Sequence, residues 1–221
     1  MNWVDVCGSP GIGKSTLCDP IWGPHELPIE DRLPPRDWEP FTDEITRLLT
    51  LISTHWSIVP AIRMNRRSVR KMATVARADD KRTYIQTGLI QRGLGFGWRM
   101  AQMDIDPEEL RPYFELMPVS LGAAFLYADV ETAQKRNNAR KDVPETAHED
   151  RAFMVPLMEK PKELAFDVLS KRGVPIVRID TRRPIDEARA DLVSFANENA
   201  HIAPPHGFGS QVEVLQAPVW W

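Results

Sequence analysis

Eight residues near the start, Gly8-Ser9-Pro10-Gly11-Ile12-Gly13-Lys14-Ser15, have the types and spacing of a phosphate-binding loop. Glycines let a backbone turn tightly, so that successive amide N–H groups and the next helix N-terminus face phosphate oxygens. Lys14 can reach β- and γ-phosphates, and the Ser15 hydroxyl, with Thr16 beside it, can ligate Mg²⁺. The expected ligands are ATP and Mg²⁺. A second set lies far along the chain. Arg136 and Arg140 are four residues apart, hence on one helical face, and can converge on a single anion. Lid-borne cations of this kind neutralise a phosphoryl group in transfer. The alternative for the pair is a solvated basic helix face.

Elements must place these groups. Trp3-Val4-Asp5-Val6-Cys7 reads as a buried strand entering the loop, and Ser15-Thr16-Leu17-Cys18 opens a helix that Pro20 should cut short. Prolines punctuate residues 20–40, with 25–31 as a short strand. Thr42 is the expected cap of a helix carrying Ile45, Leu48, Leu49 and Ile52. A strand over 56–62 is weakened by Pro60. Residues 82–87 read as a strand ending at Gly88, and 119–127 as a central strand. The glycine-rich run 89–99 has poor helical propensity, which points to close packing or a nearby ligand. Helices are expected over 107–117 (capped by Asp106), 131–140, 160–171 (closed by Gly173) and 184–197. A last strand reaches Asp180 and starts late because of Pro175. Strands alternating with helices imply an α/β fold with a parallel sheet covered on both faces. Residues 1–200 form the domain, with a small helical lid at about 129–155, and 201–221 a tail packed on it.

Residues 63–82 hold Arg63, Arg66, Arg67, Arg70 and Lys71, with Arg77, Lys81 and Arg82, against only Asp79 and Asp80. Val69, Met72, Val75 and Ala76 complete an amphipathic helix with a basic outer face. Such a face can track backbone phosphates of a nucleic acid, with salt-sensitive binding, or simply be solvated. Tyr84, Phe96 and Trp98 can stack on an extruded base or belong to the core.

Two groups of residues carry a family resemblance. Asp129-Val130-Glu131, Arg136-Asn137, Arg140 and Val143-Pro144 resemble the lid of polynucleotide-kinase-like P-loop kinases. Arg63-Met64-Asn65-Arg66-Arg67 and Gln86-Thr87-Gly88-Leu89-Ile90-Gln91-Arg92-Gly93 resemble phage-encoded kinases that phosphorylate 5-hydroxymethyluracil in DNA, a step of thymidine hypermodification. The resemblance spans roughly residues 1–200. It implies a three-layer P-loop kinase fold with about five parallel strands, and transfer of the ATP γ-phosphoryl group to the hydroxymethyl oxygen. It also implies an acceptor-orienting aspartate some twenty residues past the loop. Asp31 is the nearest match, with Asp37 and Asp43 as alternatives. Where many kinases end the third strand in an acid, this chain has Gln86-Thr87-Gly88, so Ser15, the phosphates and water are left to hold Mg²⁺, with help from an aspartate that the resemblance does not place. Gln91 and Arg92 either face the acceptor or pin the glycine-rich segment.

Composition narrows the field. A net charge of −3 gives no global attraction to nucleic acid, so local patches must supply it. Two cysteines form neither a disulfide framework nor a zinc site. His148-Glu149-Asp150-Arg151 lacks zinc spacing and reads as lid or surface. An immediate first strand leaves no room for a signal peptide, and no apolar run spans a membrane, so a cytoplasmic protein is expected. Three other functions fit the same loop: a kinase of nucleosides, nucleotides or other small molecules; a 5′-hydroxyl polynucleotide kinase; and a nucleotide-dependent binding module.

Overall fold

The apolar segment Trp3-Val4-Asp5-Val6-Cys7 forms strand β1 (Trp3–Cys7), buried along its whole length. The computed structural model describes residues 3–22, 36–52, 62, 65–66, 69–70, 72–73, 83–85, 88–139, 154–200 and 213–215. Strand β1 lies between β2 (Thr83–Ile85) and β3 (Gly122–Tyr127), parallel to both. Strand β4 (Ile176–Asp180) pairs with β3, and β5 (Glu213–Leu215) with β2, giving the order β4-β3-β1-β2-β5. The expectation of about five strands is met only in part. Three strands of five or six residues (β1, β3 and β4) carry the sheet, and β2 and β5 are three-residue segments on one side.

Alternation along β1 and β3 divides the core in two, as the two-residue period of a strand requires. Trp3 and Cys7 join Ala123 and Phe125 on one face. Val4 and Val6 join Ala124 and Leu126 on the other. The first face is covered by α2 (Glu39–Ile52), α3 (Leu89–Gln102), α4 (Arg111–Leu116) and α6 (Glu159–Lys171). The second is covered by α1 (Lys14–Trp22), α5 (Val130–Asn138) and α7 (Ile185–Ala200).

Several helices depart from expectation. Helix α1 runs through Pro20. Proline cannot donate to the Thr16 carbonyl one turn back, and Arg189 Nη2 from α7 supplies that hydrogen bond instead at 2.9 Å. Helix α2 starts before Thr42, whose hydroxyl donates back to the Glu39 carbonyl at 2.9 Å. The 107–117 segment is a 3-10 turn, Pro107–Leu110, followed by α4, with Asp106 accepting from the Glu108 amide as its cap. The start of α5 is capped in the same way by Asp129.

The glycine-rich run is a regular helix, α3, buried at every residue from Leu89 to Met100. Packing, not propensity, decides its conformation. A Cβ on Gly93 would lie 2.5 Å from Phe114, and one on Gly97 2.3 Å from Pro161, so the glycines let α4 and α6 approach the helix backbone. Among the described residues no helix is long and apolar enough to cross a membrane. The strand expected over 56–62, apart from Ile62, which is helical, the short strand over 25–31, and most of the lid and tail lie outside the described residues.

Candidate functional site

The phosphate-loop sequence occupies the turn from the carboxyl end of β1 to the first turn of α1. This is the crevice position at which open parallel sheets take ligands. Gly11 is the tightest point. Its φ is +74°, and a Cβ there would lie 2.1 Å from the Ala133 carbonyl oxygen of α5. Only glycine allows the loop and α5 to meet so closely.

The Lys14 ammonium folds over the loop, donating to the Gly8 carbonyl at 2.7 Å and the Ser9 carbonyl at 3.1 Å. Ser15 and Thr16 are exposed at the start of α1, where a cation and phosphates can reach their hydroxyls. Among the described residues no group of three or more His, Cys, Asp or Glu is arranged to hold a metal. At the other end of the loop, the Gly8 amide donates to buried Gln91 Oε1 at 3.0 Å. Of the two alternatives for Gln91, the pin therefore holds: it ties α3 to the loop. Arg92 is buried, and desolvation lowers its pKa.

Arg136, on α5, lies on the opposite flank. Its guanidinium donates to Thr181 Oγ1 at 3.1 Å and to the Thr181 carbonyl at 2.9 Å. It also sits beside Gly13, with Nη1 3.9 Å from the position a Cβ would take. Behind it opens a cavity of about 170 Å³ lined by Gly13, Thr16, Arg136, Thr181, Arg183 and Ile185, among others. Sequence reasoning found neither Thr181 nor Arg183. The signal available was a Thr-Arg-Arg-Pro run just past β4, where parallel sheets take ligands.

Below the loop, the Cys7 thiol is fully buried and its pKa is pushed up, chiefly by desolvation and then by Asp5, while the Lys14 and Lys162 ammonium groups oppose this. Lys162 is wholly buried on α6 and pairs with Glu159 at 2.7 Å. This pair too was missed, because the two residues become notable only once α6 is placed against the loop.

Other expected site residues divide into three groups. Asp31, Arg140, Arg63, Arg67 and Lys71 lie outside the described residues, as does 148–151. In the basic stretch, Arg66 is exposed and Arg70 half-buried, while Val69, Met72 and Ala73 are buried, in keeping with an amphipathic helix. Asp37 and Asp43 are exposed around the start of α2. Phe96 and Trp98 are core residues. Phe96 packs edge-on against Tyr113 at 5.8 Å, so neither ring is presented to a base.

No protein-family model matches the sequence, and no curated protein matches it. Solved structures do match. The structure of deoxyadenosine kinase from M. mycoides with bound dATP aligns with a TM-score of 0.56 over 88% of this chain and 99% of that one, at 13% identity. The chain therefore shares the fold of that structure.

Proposed function

We propose that the chain is an ATP-dependent kinase that transfers the γ-phosphoryl group to a nucleoside hydroxyl, the hydroxymethyl group of 5-hydroxymethyluracil in DNA. The observation that carries the reading is the pair of cations on one loop: Lys14 lies over its start and Arg136 lies beside Gly13. A phosphate chain laid along the loop amides would meet both. Lys14 exchanges two carbonyl partners for β- and γ-oxygens, and Arg136, joined by Arg140, neutralises charge on the phosphoryl group in transfer. Mg²⁺, held by the Ser15 hydroxyl and the phosphates, would offset charge on the bridging oxygens. The cavity between Arg136, Thr181 and Arg183 suits the nucleoside end of the donor. Asp31 is assigned to orient the acceptor hydroxyl and take its proton.

Support for a DNA acceptor comes from the sequence resemblance and the basic stretch of Arg63, Arg66, Arg67, Arg70 and Lys71, which suits backbone phosphates. A second reading, a kinase of free deoxynucleosides, is favoured by the likeness to a deoxyadenosine kinase along nearly all of that chain. One experiment separates them: transfer of labelled γ-phosphate to end-blocked duplexes carrying thymine or 5-hydroxymethyluracil, beside free deoxynucleosides. Label in the modified duplex alone is the expected result. Label only in free nucleosides selects the second reading, and no transfer to any acceptor refutes the kinase assignment.

A further inference from the structure

Lys162 presents an ammonium group at 0% exposure, a position that is unfavourable unless the charge is paired. Its neighbours on α6, Leu164, Ala165 and Val168, meet the same packing demand with apolar side chains. The charge is therefore a feature that packing does not explain. Its Nζ lies 2.7 Å from the Glu159 carboxylate and 4.1 Å over the Tyr127 ring centre. Glu159 is 39% exposed and accepts from the Ser9 hydroxyl of the phosphate loop across a long 3.5 Å contact. The Ser9 carbonyl in turn accepts from Lys14 Nζ at 3.1 Å. The Lys14 and Lys162 ammonium groups both oppose the rise of the Cys7 thiol pKa that burial and Asp5 cause.

We propose that Lys162 and Glu159 form a positioning pair for the phosphate loop, in which the buried ammonium offsets the Glu159 carboxylate and adds positive charge behind the bound phosphates. The inference rests on the nucleotide-binding reading above and assigns the pair to the affinity for the triphosphate. Neither residue is placed in contact with the transferring group. Without Lys162, the Glu159 carboxylate would stand uncompensated beside the loop and repel the phosphates. Without Glu159, the ammonium would act on them undiminished, with its own desolvation cost no longer offset by a partner.

The test is a calorimetric titration of ATP into the wild-type chain and the variants K162M, E159Q and K162M/E159Q, each with its melting temperature. Methionine and glutamine keep the side-chain volumes. Replacing both partners of a buried pair is commonly tolerated, whereas E159Q alone leaves the Lys162 ammonium buried without its partner and should lower the melting temperature. The expected order of ATP affinity is E159Q at or above wild type, then the double variant, then K162M. K162M should lose about tenfold or more, because the Glu159 carboxylate is then left uncompensated beside the loop. A merely structural pair would move the melting temperatures and leave this order absent. If K162M fails to fold, E159Q and the double variant still differ by Lys162 alone, and equal ATP affinity in those two overturns the proposal. Wild type that binds ATP with every folded variant matching it also overturns the proposal and leaves the kinase reading intact. Wild type that binds no ATP removes both.

Discussion

Replacing Asp5 with asparagine should stabilise the protein above neutral pH and lose that benefit as pH falls. Asp5 is 1% exposed in the middle strand. Its pKa is pushed from 3.8 up to about 7, chiefly by desolvation, with the Trp3 indole and the nearby Ser120 hydroxyl partly offsetting this. The unfolded chain gives up this proton above about pH 4, whereas the folded chain keeps it until about pH 7. Within that window the folded state binds more protons, so its stability falls as pH rises, by about 1.4 kcal/mol per unit. From 3.8 to about 7 the loss reaches about 4 kcal/mol and is complete above the upper value. Asparagine carries no charge and escapes this loss. Its oxygen can still accept from Trp3 Nε1, as Asp5 Oδ2 does at 3.0 Å. Its amide nitrogen would take the place of Oδ1, which has no hydrogen-bond partner, at a cost of about 1–3 kcal/mol. D5N should therefore be more stable than wild type by about 1–3 kcal/mol near pH 8, and no more stable than wild type near pH 4. Urea unfolding of both proteins across this range measures the difference directly. A stability difference that does not change with pH would refute the burial argument.

The loop gives three further expectations. Lys14→Ala should abolish phosphoryl transfer with an unchanged circular dichroism spectrum, and full activity in this variant would defeat the kinase assignment. Arg136→Ala removes an exposed side chain with two hydrogen bonds to Thr181. It should cost about 1 kcal/mol of stability or less, yet lower the transfer rate about 10²–10³-fold in steady-state assays. Gly11→Ala places a methyl group against the Ala133 carbonyl at a residue with φ +74°. Strain and clash together should cost about 2–4 kcal/mol, visible as a lower denaturation midpoint and weaker ATP binding.

The phosphate loop was legible because local sequence dictates it: the glycines, Lys14 and Ser15 are contiguous, and β1 and α1 flank them. The cap at Asp106 was legible for the same reason, since it accepts from an amide two residues on. Errors came where distant chain overrides local preference. Helix α3 forms despite its glycines because Phe114 and Pro161 need the room. Pro20 stays inside α1 because Arg189, far along the chain, serves the carbonyl it leaves. Thr181 and Arg183 carry only the weak signal of a Thr-Arg-Arg-Pro run, and the Lys162–Glu159 pair carries none; its meaning arises only when α6 closes against the loop.

The bond from the Gly8 amide to Gln91 Oε1 gives the protein a built-in reporter. The acceptor belongs to a helix with no exposed face along twelve residues, Leu89 to Met100, so solvent reaches this proton only when the interior loosens. Isotope exchange at Gly8 would then time the breathing of α3 from within the glycine-rich loop. A nucleotide that slowed the exchange would be tightening the molecule at its centre as well as closing over its own phosphates.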